Sequence, residues 1–124
     1  MKKVLVLGCK GMAGHLIKAY LESLNKYDVW GIARGLKTGK NIIDLDVFEI
    51  ENFEKILKKE SFNIVINCIG LLNSNAEEKP ELAIWLNSYF PHLVSGYGKK
   101  YNFKLIHIST DCVFSGQQGD YKES

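Results

Sequence analysis

Five short runs rich in Val, Ile and Leu recur along the chain: "KVLVLG" at 3–8, "DVWGIA" at 28–33, "NIID" at 41–44, "NIVINCIG" at 63–70 and "KLIHIS" at 104–109. Each is apolar on both alternations, the pattern of a strand covered on both faces, as in a parallel sheet. Between the runs the period changes to that of a helix. Over 11–25, Met12, Leu16 and Ala19, with Ala13, Ile17, Leu21 and Leu24, make an apolar stripe at helical spacing. Between the third and fourth runs, Ile50, Phe53, Ile56 and Leu57 repeat it and leave Glu51, Glu54, Lys55 and Lys58 for solvent. A third helix is expected from Pro80, a residue suited to the first helical position, carrying Leu82, Ala83, Trp85, Leu86, Tyr89 and Phe90. Pro91 is expected to kink or divide it, and Gly96 and Gly98 to mark its end.

Strand, helix, strand in this repetition predicts an α/β fold, a doubly wound parallel sheet with helices on both faces and right-handed crossovers. Residues 1–124 read as a single domain: 46% apolar and 24% charged residues suffice for one compact core and are too few for two. Ligands of such sheets bind beyond the carboxyl ends of the strands, where strand order reverses. That directs attention to residues 8–14, 34, 44–47, 68–70 and 109–112.

The first of these stretches is "GCKGMAG", which sets Gly8, Gly11 and Gly14 at three-residue intervals between a strand and a helix. Gly8 permits the tight turn, Gly11 lets backbone approach a pyrophosphate, and Gly14 lets the helix pack on the sheet, while the helix amino end attracts negative charge. This predicts dinucleotide binding. "GLKTGKN" at 35–41 is no rival phosphate loop, because its glycine spacing is wrong and Asn41 stands where Ser or Thr is needed. The second strand ends Ala33-Arg34-Gly35, without the acid that would accept from the ribose hydroxyls of NAD. A guanidinium there can pair with a 2′-phosphate, and Lys10, Lys37 and Lys40 can add charge, so NADP(H) is favoured over NAD(H); an exposed loop arginine is the alternative. "IDLDV" puts Asp44 and Asp46 after the third strand, where Asp46 can accept from an adenine amino group while Val47 packs on the ring. A helix-capping role serves either Asp equally well. "NCIG" ends the fourth strand at Gly70, where cofactor and backbone would come close; a plain turn glycine is the alternative.

Charge and cysteines narrow the picture. The net charge of +2 comes from 16 basic and 14 acidic residues scattered along the chain, and the Lys pairs at 2, 58 and 99 read as solvated surface. Neither a nucleic acid nor an anionic membrane is expected as a partner. No apolar run approaches the roughly 18 residues of a membrane span, and "VLVLG" is shorter than the apolar region of a signal peptide, so a cytoplasmic location is expected. Cys9, Cys68 and Cys112 have neither disulfide nor zinc spacing and read as small buried hydrophobes; each ends a strand, and all three are expected to border one crevice. His15, His92 and His107 show no metal-ligand spacing and read as structural.

Taken together, these residues resemble the extended short-chain dehydrogenase/reductases, and within them the dTDP-4-dehydrorhamnose reductase group of sugar-nucleotide reductases. The resemblance runs along essentially the whole chain, through the three glycines, "DLDV" at 44–47, "VINCIG" at 65–70, "KPELAIWLN" at 79–87, "HISTDCVFSG" at 107–116 and "GDYKE" at 119–123. It implies a Rossmann-like sheet and cofactor contacts from Gly11, Met12, Ala13, Arg34, Asp46, Val47, Cys68, Ile69 and Gly70. It implies that Thr110 is the catalytic hydroxyl of a Thr, Tyr, Lys set, with Asp111 beside it at the sugar. Cys112 stands where the reductases often have Tyr, and Cys68-Ile69-Gly70 replaces an all-Ala run. In this family a Tyr-x-x-x-Lys pair follows well beyond the Thr, and the chain stops before such a pair, so it is expected to be the cofactor-binding part of a longer enzyme, truncated after the fifth strand. The implied reaction of the intact enzyme is NAD(P)H-dependent reduction of a 4-keto sugar nucleotide for deoxysugar or surface polysaccharide synthesis, with a homodimer as candidate assembly. The 124 residues alone are expected to be inactive. The alternative is a non-catalytic NADP-binding module like the regulatory beta subunit of methionine adenosyltransferase, which resembles the same reductases.

Overall fold

A computed structural model of the chain describes residues 1–35, 37, 39–69, 81 and 84–108. Five strands form one sheet: β1 (Lys2–Leu7), β2 (Tyr27–Ala33), β3 (Ile42–Asp44), β4 (Ile64–Asn67) and β5 (Lys104–His107). All pairings are parallel and the order is β3-β2-β1-β4-β5, so the direction of winding reverses between β1 and β4. The register aligns Leu5 with Trp30 and Val65, and Val65 with Leu105.

Both faces of the sheet are covered, which is why the strands are apolar at successive positions. Leu5, Leu7, Ile32 and Val65 point to one side, where they meet Phe53 and Leu57 of α2 (Ile50–Glu60) and Phe90 and Val94 of α3 (Phe90–Tyr101). Val6, Val29 and Ala33 point to the other, under Ile17 and Leu21 of α1 (Met12–Ser23). The doubly wound parallel fold expected from the sequence is the fold observed. Among the described residues no helix is long and apolar enough to cross a membrane.

Three local expectations are corrected. The stripe on α1 is only partly buried: Ile17 and Leu21 turn to the sheet beside Gly14 as expected, but Met12 and Leu16 are 85% and 62% exposed. Gly14 decides the rotation, because the helix backbone sits against Gly8 there, and Met12 and Leu16, two residues either side at about 100° each, point the opposite way. Pro91 does not break the third helix; the irregularity expected there is a π-helical turn just ahead of it. A π-helical turn, Trp85–Tyr89, runs straight into α3 and places Pro91 in its first turn, where the wider spacing relieves the ring's clash with the preceding carbonyls and the missing N–H is tolerated. Nor do Gly96 and Gly98 end it. α3 continues to Tyr101 and stops at Asn102, in the left-handed region at φ 60°. Gly98 serves packing instead, since a Cβ there would lie 3.1 Å from the carbonyl oxygen of Phe103.

The topology also gathers charge that the sequence scatters. Parallel strands place the amino ends of β1 and β5 and the carboxyl ends of α2 and α3 at one end of the sheet, so Lys2, Lys3, Lys58, Lys59, Lys99, Lys100 and Lys104 share it. At the carboxyl ends of α2 and α3 these cations complement the helix dipoles.

Candidate functional site

The opposite end of the sheet carries a cleft of about 230 Å³ lined by Gly8, Gly11, Ile32, Ala33, Arg34, Leu45, Asp46, Val47, Phe48, Cys68, Ile69 and Leu86. It lies beyond the carboxyl ends of β1 to β4 and spans the reversal between β1 and β4, the place the winding prescribes for a ligand.

Its floor is the loop from β1 to α1. Gly8 turns at φ +77°, a conformation that favours glycine, and its N–H donates to Ile32 O at 2.8 Å. A Cβ on Gly8 would stand 3.0 Å from Ile69 Cγ1, so the loop after β4 presses directly on this turn. Gly11 caps α1, its N–H donating to Gly8 O at 3.1 Å. Only Gly8 O, at 3.5 Å, lies near where its side chain would be, leaving the space above open to a ligand. Gly14 differs: a Cβ there would be 2.1 Å from Gly8 O, so this glycine works beneath the loop rather than in the cleft. Met12 and Ala13 begin α1 and are exposed outside the lining of the cleft.

One wall is built by the segments after β2 and β3. Leu45 N–H donates to Ala33 O at 3.1 Å, prolonging the pairing, and the Asp44 carboxylate accepts the Gly35 N–H at 2.8 Å. Asp44 therefore fixes the loop that carries Arg34. Arg34 is exposed, without an ion-pair partner among the described residues, and shares an open groove with Lys10, Gly11, Ala33 and Gly35. Lys10 Nζ would lie 3.4 Å from a Cβ on Gly35, which brings a second cation to Arg34's loop. Asp46 accepts the Phe48 N–H at 3.0 Å and the Glu49 N–H donates to its carbonyl oxygen at 2.9 Å, closing a tight turn. Phe48 then packs against Trp85 with ring centroids 4.4 Å apart and the planes tilted by 34°, and Leu86, one residue on in the π-helical turn, completes the wall. Leu45 falls within the 44–47 stretch singled out from the sequence, whereas Phe48 and Leu86 escaped the sequence reading because nothing local marks them. Their membership follows from the meeting of the β3 loop with the π-helical turn.

The far wall is the end of β4. Cys68 and Ile69 line the cleft, and burial with the nearby Cys9 pushes the Cys68 thiol up to about 11. Cys9 does not border it: its Sγ would be 2.6 Å from a Cβ on Gly31, in the layer under α1, and burial raises its pKa against the opposing pull of Lys18. The crevice expected to be shared by three thiols thus excludes Cys9, while Cys112 lies outside the described residues. So do Gly70, Thr110 and Asp111. His15 and His92 are exposed, away from the cleft lining, and His107 bonds Asn67 at 3.2 Å.

The site is therefore a glycine-floored cleft with an open helix amino end, an apolar slot between Val47, Phe48 and Leu86, and two cations at its outer rim. It suits an extended ligand with a flat apolar group and phosphates.

A family model described as the RmlD substrate binding domain matches residues 1–124. A sequence search of the curated proteins gave no match. Among solved structures, a hypothetical dTDP-4-dehydrorhamnose reductase from Sulfolobus tokodaii superposes with TM-score 0.83 at 25% identity, covering 99% of this chain and 44% of that one. L-threonine dehydrogenase from Clostridium difficile gives 0.76 at 28% identity over 89% of this chain and 37% of its own. dTDP-4-dehydrorhamnose reductase from Bacillus anthracis, solved in complex with NADP, gives 0.75 at 24% identity over 95% and 40%. The chain spans 37 to 44% of the length of these three solved structures. With the whole sequence matched and the sheet, its reversal and its glycine loop in place, the chain belongs to the RmlD substrate binding domain family, in the sugar-nucleotide reductase branch of the extended short-chain dehydrogenase/reductases.

Proposed function

We propose that residues 1–124 form an NAD(P)-binding Rossmann domain that holds NADP(H) for the reduction of a 4-keto sugar nucleotide. The observation that carries the reading is the convergence of Gly8, Gly11, Arg34, Asp46, Val47, Cys68 and Ile69, from four strand ends, on one cleft. The pyrophosphate lies over Gly8 and Gly11 at the amino end of α1, with the exposed backbone of Met12 and Ala13 beside it, and Gly14 keeps the helix close enough to reach it. Adenine enters the slot at Val47 and Phe48, and Arg34 with Lys10 takes the 2′-phosphate. Cys68 and Ile69 face the nicotinamide half, and the family resemblance gives Gly70 a contact with the same cofactor. The NADP in the Bacillus anthracis reductase supports this choice of cofactor.

Bound NADPH supplies the hydride. In the role carried over from the family, Thr110 donates a hydrogen bond to the sugar's carbonyl oxygen and Asp111 contacts the sugar, which stabilises the charge developing on that oxygen. An alcohol is too weak an acid to deliver the proton as well. The 124 residues contain no Tyr-x-x-x-Lys pair, so by themselves they bind cofactor without turnover.

Titration with NADPH and NADH tests the cofactor assignment. A charge-assisted pair is worth about 1.5–3 kcal/mol, so NADPH binds tighter and Arg34→Ala removes most of the difference. Equal dissociation constants in the unsubstituted chain would overturn it. The proposed role of the 124 residues predicts no oxidation of NADPH when a 4-keto sugar nucleotide is added, and turnover above about 1 per second would contradict it.

A further inference from the structure

Asn67 is the one polar side chain among the buried described residues, at 0% exposure, and it stands at the last position of β4 between Leu7 of β1 and His107 of β5. Hydrogen bonds hold it on both sides. Its side-chain Oδ1 accepts the Ile69 N–H at 3.1 Å, and its backbone oxygen accepts the Ile108 N–H at 3.0 Å. The next residue, Cys68, donates its N–H to Leu7 O at 3.0 Å. The bond from Ile69 settles which way the amide points: Oδ1 faces the loop, so Nδ2 faces His107 Nδ1 at 3.2 Å. An amide nitrogen only donates, so Nδ1 must be the acceptor and the imidazole proton must sit on Nε2.

We propose that Asn67 and His107 are a positioning pair: His107 orients the Asn67 amide, and Asn67 in turn holds the Ile69 N–H and with it the Cys68–Ile69 wall of the cofactor cleft. The need for position is visible in the packing, since Ile69 Cγ1 would lie 3.0 Å from a Cβ on Gly8 and any drift of the loop closes or opens the floor of the cleft. A hydrophobic residue at 67 would fill the same buried volume and leave the loop amide unheld. An Asn without a partner on β5 could rotate its amide and present a donor to the Ile69 N–H. His107 also precedes Thr110 by three residues, so the pair joins the cofactor wall to the strand that leads to that hydroxyl.

This inference rests on the cofactor reading of the cleft, and the test separates the two. The 124-residue chain, labelled with 15N, is studied at pH 7.5 with NADPH as probe. Long-range imidazole correlations should show the His107 proton on Nε2; a proton on Nδ1 overturns the pair. His107→Gln keeps an acceptor for the Asn67 amide, whereas His107→Leu removes it. NADPH affinity should fall about fivefold to tenfold in His107→Leu and stay within about twofold of wild type in His107→Gln. Equal affinities in the two variants overturn the proposal. If the unsubstituted chain does not bind NADPH, the cofactor reading fails instead. The Ile69 amide then decides: its resonance and exchange rate shift in His107→Leu and not in His107→Gln if the pair holds the loop, and the proposal falls if both variants shift it alike. Asn67→Leu should reproduce the Ile69 change, and the His107 variants carry the test if that buried substitution prevents folding.

Discussion

Gly11 and Gly14 lie three residues apart, the first capping α1 and the second inside it, yet a methyl group means different things at each. At Gly14 it would fall 2.1 Å from a backbone oxygen that has nowhere to go, so Gly14→Ala should cost on the order of 3 kcal/mol or more in urea unfolding. At Gly11 it meets open space, and Gly11→Ala should cost below about 1 kcal/mol in stability, the size of a cap effect. Under the proposed cofactor reading the same methyl group stands where a pyrophosphate would approach, so NADPH binding should weaken by about tenfold, as when one charge-assisted hydrogen bond is lost. A Gly11→Ala chain that unfolds early, or binds normally, would contradict this division of labour. Trp30 presents a different case. Its indole N–H is buried without an acceptor among the described residues, while its ring meets Phe62 edge-on at 5.7 Å and Lys3 Nζ at 4.8 Å. Trp30→Phe removes the unpaired donor along with some apolar area, and the two effects should leave stability within about 1 kcal/mol of wild type.

Among the elements, helix ends and strand ends do different work. α2 and α3 both terminate on a left-handed residue, Ser61 at φ 52° and Asn102 at φ 60°. Asn adopts that conformation with little strain and Ser does not, so Ser61→Gly should stabilise the fold by about 1 kcal/mol and Asn102→Gly by less, read as shifts in the urea midpoint. At the carboxyl ends of the strands, burial keeps the thiols of Cys9 and Cys68 protonated at neutral pH. Alkylation of Cys68 should therefore rise with pH around a midpoint near 11, far slower at pH 8 than a free thiol. Because Cys68 lines the cleft and Cys9 lies under α1, NADPH should slow labelling of Cys68 and leave that of Cys9 unchanged. Mass spectrometry of the labelled chain distinguishes this from joint protection.

On the scale of the whole molecule, α2 and α3 are tied together by Glu54, whose carboxylate accepts from Lys100 Nζ at 2.8 Å and from the Tyr101 hydroxyl. The bond from Lys100, then that from Tyr101, holds Glu54 below the usual carboxylate range, and the bonds to Glu54 raise both donors. A depressed carboxyl contributes stability above its unfolded pKa and loses it as pH falls through the folded value. The difference in urea midpoint between wild type and Glu54→Gln should thus be present at pH 7 and shrink on acidification below about 4.5, the unfolded value. On the alkaline side the raised Lys100 and Tyr101 act in the other sense, their contribution present below the ordinary values and lost as pH rises through the folded ones. The tie is solvent-exposed, so added salt should reduce it.

The strands, the helix periods and the glycine loop were legible along the chain because each is written in local spacing: apolar residues on both alternations for β1, β2 and β4, a 3.6 repeat for α2, and three glycines between strand and helix. Even the end of the sheet that holds the cleft followed from the winding of repeated strand and helix units. Rotation and convergence were not legible, because they depend on contacts distant in sequence. Gly14 against Gly8 turned Met12 and Leu16 outward from a stripe that looked buried. The β3 loop met a π-helical turn 37 residues away, from Phe48 to Trp85, and so recruited Leu86 to the cleft. The lysine pairs came together only because all five strands run the same way. Asn67 shows the reason most plainly: within "VINCIG" it is one polar letter in an apolar run, and its partners are an amide two residues on and an imidazole 40 residues away, which only the register of β4 with β5 brings within a hydrogen bond.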